Sequence, residues 1–249
     1  MNVSDIPSLL DLGKRAPQQL FYKGNWDKQI FAKCMAIVGS RRMTSYGQRV
    51  VEKIVPSLVQ DGWTIVSGFM YGVDQAAHAA AVEYGGRTAA VLGSGIDICY
   101  PAENEKLYCQ ILETGGVVLS EYMPSQKPQL WMYPARNRIV AGLASLGVLV
   151  VEAGEASGSL ITAALARKTG RRVYAVPGPI TSSASVGTNN LIKRGEAKMV
   201  TEPKDILGNS KSQITNSKQF QNADKFEIQI AELLGREALT VDELAAQLG

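Results

Sequence analysis

The feature that most limits what this chain can become is a series of six short, almost unbroken apolar runs: MAIVG (35–39), WTIVSG (63–68), TAAVLG (88–93), GVVLSE (116–121), LGVLVVEA (146–153) and RVYAVPG (172–178). Successive side chains of a strand point to opposite faces, so a strand with one wet face alternates apolar and polar residues. Runs of Val, Ile, Leu and Ala without that alternation are covered on both faces, the state of a parallel strand between two helical layers. The intervening segments have helical length. In SYGQRVVEKIVPSLVQ (45–60), Val50, Val51, Ile54, Val55 and Leu58 recur at helical spacing, and Pro56 is expected to kink the helix. Strand and helix alternating in this way predict an α/β fold built on a doubly wound, mostly parallel sheet with right-handed connections. With 249 residues, 45% of them apolar, the chain can build one sizeable core plus an appendage.

After about residue 207 the composition changes. GNSKSQITNSKQFQNAD (208–224) is polar and short of apolar residues, which reads as a linker. Residues 225–249 read as a helix ending at Gly235 and a second capped by Thr240, with Glu243 in the capping-box position. The expected organisation is a lead-in segment (1–33), a main domain (34–207), the linker, and a partial helix-turn-helix of winged-helix-like character (225–249). No apolar run approaches the roughly 20 residues of a membrane span, and MNVSDIPSLLDLGKRAP carries no apolar leader core, so a soluble chain with no membrane partner is expected. Cys34, Cys99 and Cys109 show no paired spacing, which favours a reducing, cytoplasmic compartment. His78 is the one histidine, which excludes sites with two histidine ligands and leaves no metal or cofactor expected. Asp74, four residues before it on one helix face, is its expected hydrogen-bond partner.

Ligands of open parallel sheets bind beyond the carboxyl ends of the strands, near the point where strand order reverses. Gly39, Gly68, Gly93 and Gly178 each end an apolar run there. The first of these turns is unusual: a dinucleotide or P-loop turn continues with more glycines or with Gly-Lys, whereas Gly39 and Ser40 are followed by Arg41 and Arg42. Adjacent residues leaving a turn diverge, so one of the two guanidinium groups is expected to face a ligand. Ser67, Gly68, Gly93, Ser94 and Gly95 form the next two candidate loops. Ser157, Gly158 and Ser159 precede an Ala-rich helix whose free N–H groups suit an anion. Arg136, Asn137 and Arg138 fall in what reads as the first turn of another helix, where cations oppose the dipole and imply a bound anion. Asp97, Glu121 and Glu152 near strand ends read either as a carboxylate cluster or as partners of these arginines. The net charge of only +3 decides little, because local clustering sets the field of a site.

Taken in order, the strings APQQLFYKG, AIVGSRR with the following YG, VSG with GVDQAAHAAA, GGRTAAVLGSGIDICYP, GGVVLSEYMP, ARNRIVAGL, VVEAGEASGSLITAALA, GRRVYAVPG and GTNNLIKRGEA resemble the DNA-processing protein A (DprA/Smf) family over roughly residues 16 to 200. That resemblance implies an extended Rossmann-like fold. It also implies binding of single-stranded DNA, a homodimer, and assistance in loading the RecA recombinase during natural transformation, without enzymatic activity. A single strand is a line of phosphates, so forked cations spaced along a groove, with glycine turns and helix N-termini between them, suit it. By its place in the motif Arg41 is the foremost candidate, and Tyr46, Phe69, Tyr71 and Tyr100 are candidate base-stacking rings. Ala102 stands where members of the family often carry a lysine after the Tyr-Pro pair, and Lys106 is the nearest substitute. The competing reading is a nucleotide-binding enzyme resembling the nucleoside-monophosphate phosphoribohydrolases. Matching Gly158 to Leu160 with their glycine motif places Thr162 where their glutamate acts, and a threonine cannot replace a carboxylate.

Overall fold

In a computed structural model of the chain, residues 6–24 and 26–208 are described. Their eight strands are β1 (Phe21–Gly24), β2 (Cys34–Val38), β3 (Thr64–Ser67), β4 (Thr88–Val91), β5 (Val117–Ser120), β6 (Gly147–Val150), β7 (Val173–Ala175) and β8 (Lys198–Met199). They form one sheet in the order β1-β5-β4-β3-β2-β6-β7-β8, parallel throughout except for β1, which runs antiparallel to β5. The helices are α1 (Pro7–Leu10), α2 (Ser45–Gln60), α3 (Val73–Glu83), α4 (Glu105–Glu113), α5 (Met132–Leu143), α6 (Gly158–Lys168), α7 (Val186–Lys193) and α8 (Lys204–Leu207). From β2 the chain lays β3, β4 and β5 to one side, then places β6, β7 and β8 on the other, so winding reverses between β2 and β6. Ile37 sits opposite Leu149 across that seam. No helix among the described residues is long and apolar enough to cross a membrane.

All six expected strands are present, and β2 to β6 are buried along their whole length. The two additional strands lie at the edges: β1 alternates half-buried and exposed residues, and both residues of β8 are exposed. Helix α2 runs through Pro56 to Gln60 and is capped by Thr44, whose Oγ1 accepts from the N–H groups of Tyr46 and Gly47. Proline removes one backbone donor, yet Val51, Ile54, Val55 and Leu58 are buried and hold the surrounding turns to the protein. The linker and helix-turn-helix expected over 208–224 and 225–249 lie outside the described residues, apart from Gly208.

Residues before β2 belong to the core. Ile6, Leu9, Leu12 and Leu20 are buried in one cluster with Ile139, Val140 and Leu143 of α5 and with sheet residues Ala36, Val66 and Val148. Gly142 permits this approach: a Cβ there would lie 3.0 Å from side-chain carbons of both Leu9 and Leu12. A smaller cluster joins Phe69, Leu92, Leu107, Tyr108 and Ile111.

His78 is fully buried, and its partner is Thr88 rather than Asp74. Nδ1 lies 2.7 Å from Thr88 Oγ1, whose own hydrogen goes to the carbonyl of Ile65 at 2.6 Å, so Nδ1 is the donor. The expected pair fails because the Asp74 carboxylate is drawn toward a buried arginine described below. Burial, followed by the charge of Arg136, pushes the His78 pKa down to about 3. Unfolded histidine titrates near 6.5, so below about pH 6.5 only the unfolded chain binds this proton. The stability contributed by neutral His78 is therefore complete above that pH and is lost progressively as pH falls toward about 3. Urea denaturation between about pH 7 and about pH 5 is expected to show a loss of up to about 1.4 kcal/mol per pH unit from this group. His78→Gln should flatten that part of the profile.

Candidate functional site

An open cleft of about 560 Å³ lies at the carboxyl ends of β2, β3 and β6, at the reversal of winding. The loop leaving β2 forms one wall with Gly39, Ser40, Arg41 and Arg42. Ser40 Oγ accepts the N–H of Arg42 at 3.0 Å, and the Ser40 carbonyl accepts the N–H of Val73 at 3.2 Å, which ties the loop to the start of α3. Gly39 is required by packing: a Cβ there would come within 2.6 Å of Val73 Cγ2. Gly72 adopts φ +73° and passes directly beneath the backbone of Ser40 and Arg41. Arg41 and Arg42 are both exposed and both line the cleft. The Arg41 guanidinium lies 5.3 Å from the ring centre of Tyr133, a cation–π distance.

The opposite wall is the N-terminus of α6. Ser157 Oγ accepts the N–H of Ser159 at 3.4 Å and meets Ser159 Oγ at 2.8 Å. No atom lies within 4 Å of where a Cβ of Gly158 would stand, so this end of the helix dipole is open to the cleft. Asn137 completes the wall, its Nδ2 donating to the Gly158 carbonyl at 3.4 Å.

Arg136 lies at the base, and its charge is used by the protein. It is 2% exposed, and Nη1 donates to the carbonyls of Gly68 and Val91, the residues that end the β3 and β4 runs. A Cβ placed on Gly68 would fall 2.5 Å from Arg136 Nη2 and 2.6 Å from Asp74 Oδ2, so the missing side chain makes room for this carboxylate and guanidinium. Burial raises the Asp74 pKa and Arg136 opposes the rise; burial lowers the Arg136 pKa to about 10, leaving it charged at neutral pH. Arg138 turns away, donating to both carboxylate oxygens of Glu121 at 2.6 Å and, through Nε, to the Arg15 carbonyl at 2.7 Å. The reading of both arginines as first-turn cations awaiting an anion is corrected. Helix α5 begins at Met132, which puts them in the second turn, and carbonyls and carboxylates of the protein hold both.

Several other expected site residues serve packing. Ser67 is buried and donates to the Ile37 carbonyl at 2.6 Å. Gly93 makes room for the ring of Tyr133, with a would-be Cβ 2.7 Å from Cδ1. Gly95 packs against the backbone of Met123 and Pro124 and donates to the Gln126 carbonyl at 2.8 Å, while buried Ser94 donates to Ile98. Lys106 is exposed on α4 and does not line the cleft. The three strand-end carboxylates form no cluster: Asp97 pairs with Lys23 at 2.7 Å, Glu121 with Arg138, and Glu152 accepts the N–H and hydroxyl of Thr44 at 2.8 and 2.5 Å. Of the candidate rings, Phe69 is buried and Tyr46 donates to the Pro177 carbonyl at 2.6 Å, whereas Tyr71 and Tyr100 are exposed outside the cleft. The cleft's own ring is Tyr133, which the sequence reading did not single out; its signal is a Tyr-Pro pair just inside a helix start.

A cleft lined by arginines at the winding reversal of a mostly parallel sheet defines a Rossmann-like α/β protein. The chain belongs to the family described as DNA recombination-mediator protein A, which matches residues 1–211. It is 47% identical over 192 residues to DNA processing protein DprA of Streptococcus pneumoniae, covering 77% of this chain and 66% of that protein. It is 45% identical over 175 residues to Protein Smf of Escherichia coli, covering 70% and 46%. The chain thus spans about half to two thirds of the length of these curated relatives. The X-ray structure of the Streptococcus pneumoniae protein superposes with a TM-score of 0.76 at 42% identity, covering 83% of this chain and 72% of that one. DNA processing protein A from Helicobacter pylori, whose structure is described for its "unique single-stranded DNA binding mode", superposes with a TM-score of 0.71 at 30% identity, covering 79% and 88%.

The different placements of the arginines separate their effects on stability. Arg136→Ala strands Asp74 and two carbonyls in the interior and is expected to cost about 3–5 kcal/mol in urea denaturation. Arg41→Ala, on an exposed loop, is expected to change stability by no more than about 0.5 kcal/mol.

Proposed function

We propose that this chain is a non-enzymatic single-stranded DNA-binding protein that lays a stretch of phosphodiester backbone in the switch-point cleft. One observation carries the reading: exposed Arg41 and Arg42 line the same cleft as the N-terminus of α6, with the Tyr133 ring beside Arg41. Two guanidinium forks and a helix N-terminus suit the repeated oxygens of a strand, and the ring offers a face to a base. The Helicobacter pylori relative, described by its single-stranded DNA binding mode, supports the same ligand class.

The phosphoribohydrolase reading needs a carboxylate beside the sugar. Thr162 occupies the compared position, and Asp74, the carboxylate lining the cleft, lies against Arg136. The purified chain is therefore expected to release no base from nucleoside monophosphates under conditions where it binds oligonucleotides. Family membership supports extending this proposal to a cytoplasmic homodimer that protects incoming single strands and assists RecA loading in natural transformation. The contacts are assigned to residues 34–207, and deletion of 208–249 should leave single-strand affinity largely intact.

Titration of fluorescent oligonucleotides at several salt concentrations tests the placement. Arg41→Ala should weaken binding by similar factors for unrelated sequences, because a phosphate contact carries no base information. The slope of log K against log salt should become shallower by about 0.7, the share of one neutralised phosphate on a single strand. Unchanged affinity and slope in a folded variant would remove Arg41 from the interface.

A further inference from the structure

A second ring, exposed, stands next to Tyr133, just outside the cleft. The Tyr100 ring lies 6.0 Å from that of Tyr133, tilted by 37°, and is 41% exposed. Tyr71, 37% exposed, donates its hydroxyl to the Glu103 carboxylate at 2.8 Å, which places a third ring beside the turn that follows Tyr100. Arg41, Tyr133 and Tyr100 therefore form a continuous row leading out of the cleft across the carboxyl end of β4. An exposed ring of this size gains little from packing where it stands, whereas the face of a nucleobase would cover it.

The charges along the row change in one direction. At its inner end are the guanidinium groups of Arg41 and Arg42. At its outer end is Glu103, whose carboxyl is held below the usual carboxylate range by a backbone hydrogen bond, followed by the Tyr71 hydroxyl. Burial, followed by the neighbouring Tyr100, pushes the Tyr133 hydroxyl up to about 12, so that ring stays neutral. Phosphates are favoured at the inner end and opposed at the outer one; a base, which is neutral, is opposed at neither.

We propose that Tyr100 forms, with Tyr133, a second subsite of the cleft, one that stacks a nucleobase and makes no phosphate contact, so that the strand leaves over these rings toward α4. The inference rests on the single-stranded DNA reading and adds the route of the strand. It separates two energetic roles: Arg41 supplies salt-dependent affinity, and Tyr100 supplies affinity that salt does not change.

The test uses the full chain and oligo(dT) ligands, from one nucleotide to about ten, titrated over a salt series. Tyr100→Ala should weaken binding of the longest oligonucleotide by about 5- to 100-fold, the range for one stacked base. It should leave the slope of log K against log salt as in the unsubstituted chain, and it should not affect dTMP competing at the inner cleft. Tyr100→Phe, which keeps the ring and loses the hydroxyl, should bind as the unsubstituted chain does. Urea midpoints equal to that of the unsubstituted chain establish that the variants are folded. A Tyr100→Ala variant with full affinity for the long oligonucleotide overturns the proposal, as does an equal loss for every length or a shallower salt slope. Absence of oligonucleotide binding by the unsubstituted chain would instead overturn the single-stranded DNA reading itself, and the proposal with it.

Discussion

One buried guanidinium fixes the geometry on which the rest of the site depends. Arg136 joins the strand-end carbonyls of Gly68 and Val91, and Asp74 approaches it through the space that Gly68 leaves empty. Burying such a charge is costly unless it is paired and hydrogen-bonded, and breaking the arrangement costs more than it ever contributed. The carboxyl ends of two neighbouring strands are therefore held in register by an interaction that cannot be half formed. The fixed charges also determine what remains available. Asp74 faces Arg136, and beyond it Arg41, rather than His78. Arg41 and Arg42 stay exposed on the β2 loop, where an anionic ligand can reach them.

Glycine serves two separate purposes around this centre. Gly39 and Gly68 are small because a side chain would collide with Val73 in one case and with the Asp74–Arg136 pair in the other. Gly158 is different, since nothing stands near its missing side chain and the space belongs to the cleft. Close packing brings the β2 loop down onto α3, and openness leaves the α6 N-terminus free to meet a ligand. The cleft follows from the combination, because tight backbone contacts on one wall hold the arginines steady against an unobstructed helix end on the other.

The sequence made the inner strands legible because burial on both faces leaves a continuous apolar signature. It hid β1 and β8 because edge strands are short, half exposed and mixed in character. The loops bearing Arg41 and Ser157 could be found for a similar reason, as each follows directly from a recognisable run. Arg136 could not be sorted from Arg41 by composition. Whether a guanidinium meets a ligand or a strand-end carbonyl depends on where α5 begins, and the start at Met132, ahead of the Tyr-Pro pair, puts Arg136 and Arg138 in the second turn. Gly93 and Gly95 misled in the same way, since a glycine that admits Tyr133 or the Met123 backbone reads like one that admits a phosphate.

The position of β1 bears on how the chain is assembled. Phe21 pairs with Ser120, and Leu9 and Leu12 rest against Gly142 of α5, so the segment before β2 finds these partners about a hundred or more residues further along the sequence. At roughly 5–20 residues per second, a ribosome needs about 5–20 s to make the hundred or so residues between them. During that interval Leu9 and Leu12 lack the α5 face that covers them, and β1 lacks the strand it pairs with. Sheets built from such distant pairings fold slowly because loop closure precedes the contacts that reward it. The segment before β2 is therefore joined to the fold by contacts of long sequence separation, and its docking has to wait for β5 and α5 to form.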